Sequence, residues 1–128
     1  MRLLLDTHVV FWAIVDVDLL SKSAQLAIRA KNNEVHVSVV NVWEMAIKVG
    51  IGKWPEADVL VAKFEQEIAA AGFRLLPISI DHVRRAGLMV SPHRDPFDRL
   101  LAAQAEIEGL KLVTADAKLA SLGAPTLW

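Results

Sequence analysis

Four carboxylates in this chain, Asp6, Glu44, Asp98 and Asp116, stand where a folded chain of alternating strands and helices can bring them together. Asp98 poses the sharpest problem. It follows Asp95-Pro96, a helix start with Asp95 as N-cap and Pro96 in the first helical position. Its spacing of three, four and seven to Leu101, Ala102 and Ala105 puts it at the head of a buried apolar stripe. A carboxylate there carries a desolvation cost that something must offset. One reading has Asp98 bonding back to the backbone at Asp95 as a short capping box; the other has it facing a metal ion. The other three acids have the same two readings. Asp6 and Asp116 can each cap the helix that follows, and Asn41-x-x-Glu44 matches a capping box. If all four converge, their charges repel unless a cation is present. An all-oxygen cluster without sulfur selects Mg²⁺ or Mn²⁺. Such a site polarises a phosphate and lowers the pKa of a bound water, as phosphodiester hydrolysis requires.

The elements that would position these acids follow from apolar periodicity and turn residues. Strands are expected over Arg2–Leu5, Glu34–Ser38, Phe73–Pro77 and Leu110–Val113, with an edge strand at Pro125–Leu127. Helices are expected over His8–Val15, Ser21–Ala30, Asn41–Val49, Pro55–Ala71, Ile80–Leu88, Pro96–Glu108 and Asp116–Ser121. Gly50, Gly72 and Gly109 mark three of their ends. The long Pro55–Ala71 helix has Val59, Ala62, Ile68 and Ala69 among its apolar positions. This alternation predicts an α/β sandwich with a mainly parallel sheet. In such a sheet ligands sit beyond the carboxyl ends of the strands. Asp6 directly follows the first strand, Asp116 follows the fourth through Thr114-Ala115, and Glu44 and Asp98 lie in the first turns of their helices.

Composition sets the outer bounds. A chain of 128 residues suits one domain, residues 1–128, with a real core. At 54% hydrophobic and 23% charged residues it is globular rather than disordered. A net charge of −1 announces no nucleic-acid partner and excludes none. The absence of cysteine excludes disulfides and thiolate metal sites and suits the cytoplasm. Asp6 and His8 interrupt the apolar start too early for a signal peptide, and no run approaches the roughly 18 apolar residues of a membrane span. His8, His36, His82 and His93 lack zinc-site spacing.

Four segments carry a family resemblance: Leu3-Leu4-Leu5-Asp6-Thr7-His8, Val42-Trp43-Glu44-Met45-Ala46-Ile47-Lys48, His93 through Ala105, and Leu112-Val113-Thr114-Ala115-Asp116. In this order the chain resembles PIN-domain proteins, most of all the bacterial VapC-type toxins of type II toxin–antitoxin systems. The resemblance spans essentially the whole chain. It implies a PIN-like three-layer α/β/α sandwich and an endoribonuclease dependent on Mg²⁺ or Mn²⁺. It also implies a homodimer and an antitoxin protein as partner. Carried over residue by residue, Asp6, Glu44, Asp98 and Asp116 match the family's acidic quartet, as catalytic and metal-holding residues. Ala115 departs from the basic residue often found between the Thr and Asp of similar sequences.

Contacts to RNA phosphate are expected near the acids. Lys48, Lys53, Arg94 and Arg99 are the cationic candidates, with Thr7 and Thr114 as water- or substrate-positioning groups. Arg94 and Arg99 can equally pair with Asp95 and Asp98. Trp54, in a Gly-Lys-Trp-Pro loop, is expected to be more exposed than Trp12 or Trp43 and so better placed to stack on an unpaired base. Two other readings compete. An aspartyl-phosphate enzyme built on Asp6 would need a second acid two residues on, where His8 stands. A non-catalytic RNA- or protein-binding module would retain the acidic pocket without cutting.

Overall fold

The alternation of the sequence becomes a five-stranded, fully parallel sheet. A computed structural model describes residues 1–128. Its strands are β1 (Arg2–Leu5), β2 (Glu34–Ser38), β3 (Arg74–Leu76), β4 (Lys111–Val113) and β5 (Thr126–Leu127), in the order β3-β2-β1-β4-β5. Starting from the central β1, the chain builds outward through β2 and β3, then crosses back to lay β4 and β5 on the other side. The switch point lies between β1 and β4, where Leu5 is paired with Val113. In open α/β sheets that crevice is where ligands bind.

Side-chain alternation along β1 divides the core in two. Leu3 and Leu5 face one layer with Val35, Val37, Met45, Leu60, Phe64 and Ile68. Leu4 faces the other, with Leu101, Ala102, Ala105, Leu112 and Leu119. The first layer is covered by α1 (Thr7–Val15), α2 (Lys22–Arg29), α3 (Val39–Gly50), α4 (Asp58–Ala62) and α5 (Phe64–Ala70). The second is covered by α6 (Ile80–Leu88), α7 (Pro96–Glu108) and α8 (Ala117–Ala120). The result is the three-layer α/β/α sandwich. No helix is long and apolar enough to cross a membrane.

The structure alters three local expectations. The helix expected over Pro55–Ala71 is instead a 3-10 turn at Pro55–Ala57 followed by α4 and α5, because Lys63 leaves helical geometry (φ −116°, ψ 26°). Of the apolar positions read there only Ile68 is buried; Val59 is 62% exposed. Ala57, Leu60, Phe64 and Ile68 face the core instead. Burying Leu60 and Phe64 removes more apolar surface from water than burying Val59 and Ala62, so the segment rolls to their side. Helix α3 starts at Val39 rather than Asn41, because Ser38 is its N-cap and Asn41 completes the capping box. The third strand is shortened to Arg74–Leu76.

Candidate active site

Each acid is set by the element that carries it. Asp6 ends β1 and caps α1: its Oδ1 accepts from the Thr7 amide at 2.6 Å, and its Oδ2 accepts from the Thr114 hydroxyl at 2.9 Å. Thr114 is adjacent because β1 and β4 run parallel and in register. The same hydroxyl accepts from the Asp116 amide at 3.0 Å, so one buried threonine ties Asp6 to the backbone of Asp116. Asp116 itself is exposed and caps α8 through the Lys118 amide.

Glu44 is only 7% exposed on α3. The capping-box reading is not what the structure has. Ser38 and Asn41 cap the helix, and Glu44 Oε2 accepts from Lys48 Nζ at 2.9 Å. Asp98 is also not bonded back to Asp95. Asp95 Oδ1 accepts from the Phe97 and Asp98 amides, as an N-cap does, while Asp98 Oδ2 lies 2.6 Å from His93 Nε2. The expectation of an apolar stripe holds for Leu101, Ala102 and Ala105, and every residue from Leu100 to Ala105 is buried.

The electrostatics show which acids share an environment. Burial pushes the Asp6 carboxyl above the usual carboxylate range, and the Glu44 charge pushes it further. The Thr114 and Thr7 bonds and the nearby His8 act the other way. Burial likewise pushes Asp98 up to about 6, with Asp95 and Asp6 adding to the rise and His93 opposing it. Asp6 therefore senses Glu44, and Asp98 senses Asp6, across the end of the sheet.

The basic and aromatic candidates divide clearly. Arg99 has its guanidinium engaged by four backbone carbonyls, those of Ala86, Met89, Ser91 and His93, at 2.7–3.2 Å. It pairs with neither Asp95 nor Asp98, and it braces the segment that presents His93 to Asp98. Arg94 is exposed and makes no ion pair. Lys48 belongs to Glu44, and Thr7 is fully buried, its hydroxyl accepting from Asn41 Nδ2 at 3.0 Å. The exposure expected of Trp54 over Trp43 is reversed. Trp54 is half-buried and stacked on His8 with ring centroids 4.6 Å apart, because the Lys53 and Trp54 amides fold back onto the Lys48 carbonyl. Trp43 is 47% exposed and meets Phe97 edge-on, beside Glu44 and Asp98 in sequence.

The sequence profile of the PIN domain matches residues 3–125. The chain belongs to the PIN-domain family. PIN domains are generally nucleases. Comparison with curated proteins gives no match. Among solved structures, VapBC2 from Rickettsia felis, bound to a DNA fragment from their promoter, superposes with a TM-score of 0.69 at 20% identity. That match covers 99% of this chain and 98% of the other. FitAcB from Neisseria gonorrhoeae gives 0.61 at 22% identity, covering 100% and 97%. PAE2754 from Pyrobaculum aerophilum gives 0.57 at 21%, covering 98% and 83%. These likenesses establish the fold.

The donor chemistry of this PIN domain suits a hard divalent cation: several carboxylates, partly desolvated, with charges that raise one another's affinity for a proton. Their arrangement is looser than convergence implies. No three of its His, Asp and Glu side chains lie close enough to hold one ion. Glu44 is turned to Lys48, Asp98 to His93 and Asp116 to the start of α8. To hold a divalent ion, Glu44 and Asp98 would have to give up Lys48 and His93.

Sequence reasoning passed over Ser38 and Gln104 and gave Asn41 the wrong capping partner, Glu44; Ser38, Asn41 and Gln104 are all fully buried. Ser38-x-x-Asn41 has capping-box spacing, and Gln104 is the one polar side chain among the six buried positions from Leu100 to Ala105. Both signals were readable.

Proposed function

We propose that this PIN domain, residues 1–128, is a VapC-type toxin: a divalent-metal-dependent endoribonuclease held in check by an antitoxin protein. The observation that carries the reading is the grouping of Asp6, Glu44 and Asp98, buried enough to raise Asp6 and Asp98, at the switch point of the sheet. Asp6, Glu44, Asp98 and Asp116 would hold Mg²⁺ or Mn²⁺. When bound, the ion supplies charge to polarise the scissile phosphate and to acidify a water. The chain's own groups do the rest. Thr114 and the Thr7 amide hold both oxygens of Asp6 in one orientation. The 2.6 Å contact between His93 Nε2 and Asp98 Oδ2 orients the Asp98 carboxyl. Arg94, exposed and without an ion pair, is free to meet RNA phosphate.

The antitoxin partner is supported by the names of the structural neighbours, which include VapBC and FitAB assemblies. A homodimer is supported by apolar side chains left exposed on the helices. A cytoplasmic location follows from the toxin reading.

The test is cleavage of labelled single-stranded and structured RNAs by the wild type beside Asp98→Asn, with Mg²⁺, Mn²⁺ or EDTA. Expected is metal-dependent cutting that falls about a thousandfold in the variant, the loss of roughly 4 kcal/mol of charge stabilisation. Metal-independent RNA binding without cleavage would instead favour a non-catalytic module. That reading draws on Glu44 and Asp98 being turned to Lys48 and His93.

A further inference from the structure

Asp6, Glu44 and Asp98 are carried by three separate elements, so their geometry depends on how β1 and its turn, α3 and α7 are locked together. One buried polar chain joins all three. On α7, Gln104 Oε1 accepts from the Ser38 hydroxyl at 2.6 Å, and Gln104 Nε2 donates to the Pro77 carbonyl at 3.2 Å. Ser38 caps α3: its Oγ accepts from the Val40 amide at 3.0 Å, and its own amide donates to Asn41 Oδ1 at 2.7 Å. Asn41 Nδ2 then reaches the Leu5 carbonyl at 3.2 Å and the Thr7 hydroxyl at 3.0 Å, on either side of Asp6. Gln104, Ser38, Asn41 and Thr7 are all fully buried, and no buried side-chain polar atom in the chain lacks a partner.

We propose that Gln104, acting through Ser38 and Asn41, is a positioning residue that sets the register of Asp98 against Glu44 and Asp6. It touches neither RNA nor ion, and the assignment rests on the nuclease reading above. Apolar packing alone specifies that register poorly. Leu100 and Leu101 are the large buried apolar side chains of α7, and from Ala102 to Ala105 its buried apolar residues are all alanine, small and smooth knobs around Gln104. A helix seated on alanines slides or rolls at little cost, whereas a directional hydrogen bond to a helix cap does not. Asp98 lies six residues from Gln104, about 9 Å along the helix axis, so a small roll at Gln104 is transmitted to the carboxylate. Displacements of about 1 Å are enough to cost about 100-fold in rate.

The experiment compares wild type, Gln104→Met, Ser38→Ala, their double variant and Ser38→Thr, with activity expressed per folded molecule. Methionine fills the glutamine's space without either bond, and threonine restores the hydroxyl. The measurements are kcat and KM on an RNA that the wild type cuts, and Mn²⁺ binding followed by the resonance signal of the free ion. Expected is a fall in kcat of about 10–100-fold with KM little changed, together with weaker Mn²⁺ binding. The double variant should be no worse than the poorer single, and Ser38→Thr should recover most of the loss. If Gln104→Met fails to fold, Ser38→Ala and Ser38→Thr carry the same comparison. A kcat and Mn²⁺ affinity equal to wild type in the folded variants would overturn the role of Gln104 and leave the nuclease reading standing. A wild type that neither cuts RNA nor binds Mn²⁺ would overturn both.

Discussion

Asp98 is the residue at which the proposed function and stability pull apart. Its carboxyl titrates at about 6 in the folded chain against 3.8 for the unperturbed group, so the folded state binds its proton more tightly than the unfolded state. The stabilisation from this group is therefore fully present below about pH 3.8 and is lost as pH rises through about 6. At pH 8 the ionised Asp98 opposes folding. Asp98→Asn, scanned in EDTA, should gain about 2 kcal/mol at pH 8 and nothing at pH 4. Thermal or urea unfolding at the two pH values reads this directly; a variant less stable than wild type at pH 8 would mean that the His93 contact outweighs burial. The same substitution is expected to remove cleavage, so the gain and the loss separate a functional carboxylate from a structural one.

The Pro96–Glu108 helix and the segment before it form one unit, and Arg99 is what joins them. Its four carbonyl contacts fix the backbone from Ala86 to His93 against the helix. Arg99→Leu leaves those carbonyls without their donor and should lower stability by about 3 kcal/mol. Hydrogen exchange should quicken over residues 86–93 and little elsewhere. Arg99→Lys should rescue poorly, since one ammonium cannot reproduce a planar fork. The Asp95-Pro96 helix start and Gly109 as its stop were legible in sequence, because capping and left-handed geometry depend on residue type at a single position. The work done by Arg99 was not, because a guanidinium has the same signature whether it meets a phosphate or four carbonyls.

At the scale of the whole molecule, α3 and the Ile51 cap at its end leave a row of apolar side chains uncovered. Val39, Trp43, Ile47 and Ile51, each four residues from the last, are 39–60% exposed. Such a ridge suits a partner surface, and the proposed dimer is placed on it. Ile47→Glu should shift the wild type's self-association toward monomer, measured by light scattering at micromolar concentration. A dimer of unchanged affinity would exclude this ridge from the contact.

The sequence by itself determined the alternation of strands and helices and the parallel sheet, and it singled out the four acids that the proposed function uses, because period, caps and residue type are local properties of the chain. Only the tertiary structure decided the rest. Which face of the Pro55–Ala71 segment turns inward was decided by the competition between Phe64 with Leu60 and Val59 with Ala62 for one core. Whether Trp43 or Trp54 meets solvent was decided by a loop folding back onto Lys48. That Glu44 and Asp98 do not cap their helices was decided by Ser38 and Asp95 already filling the caps. In each case the outcome turns on which groups, distant in sequence, reach the same few ångströms of space first.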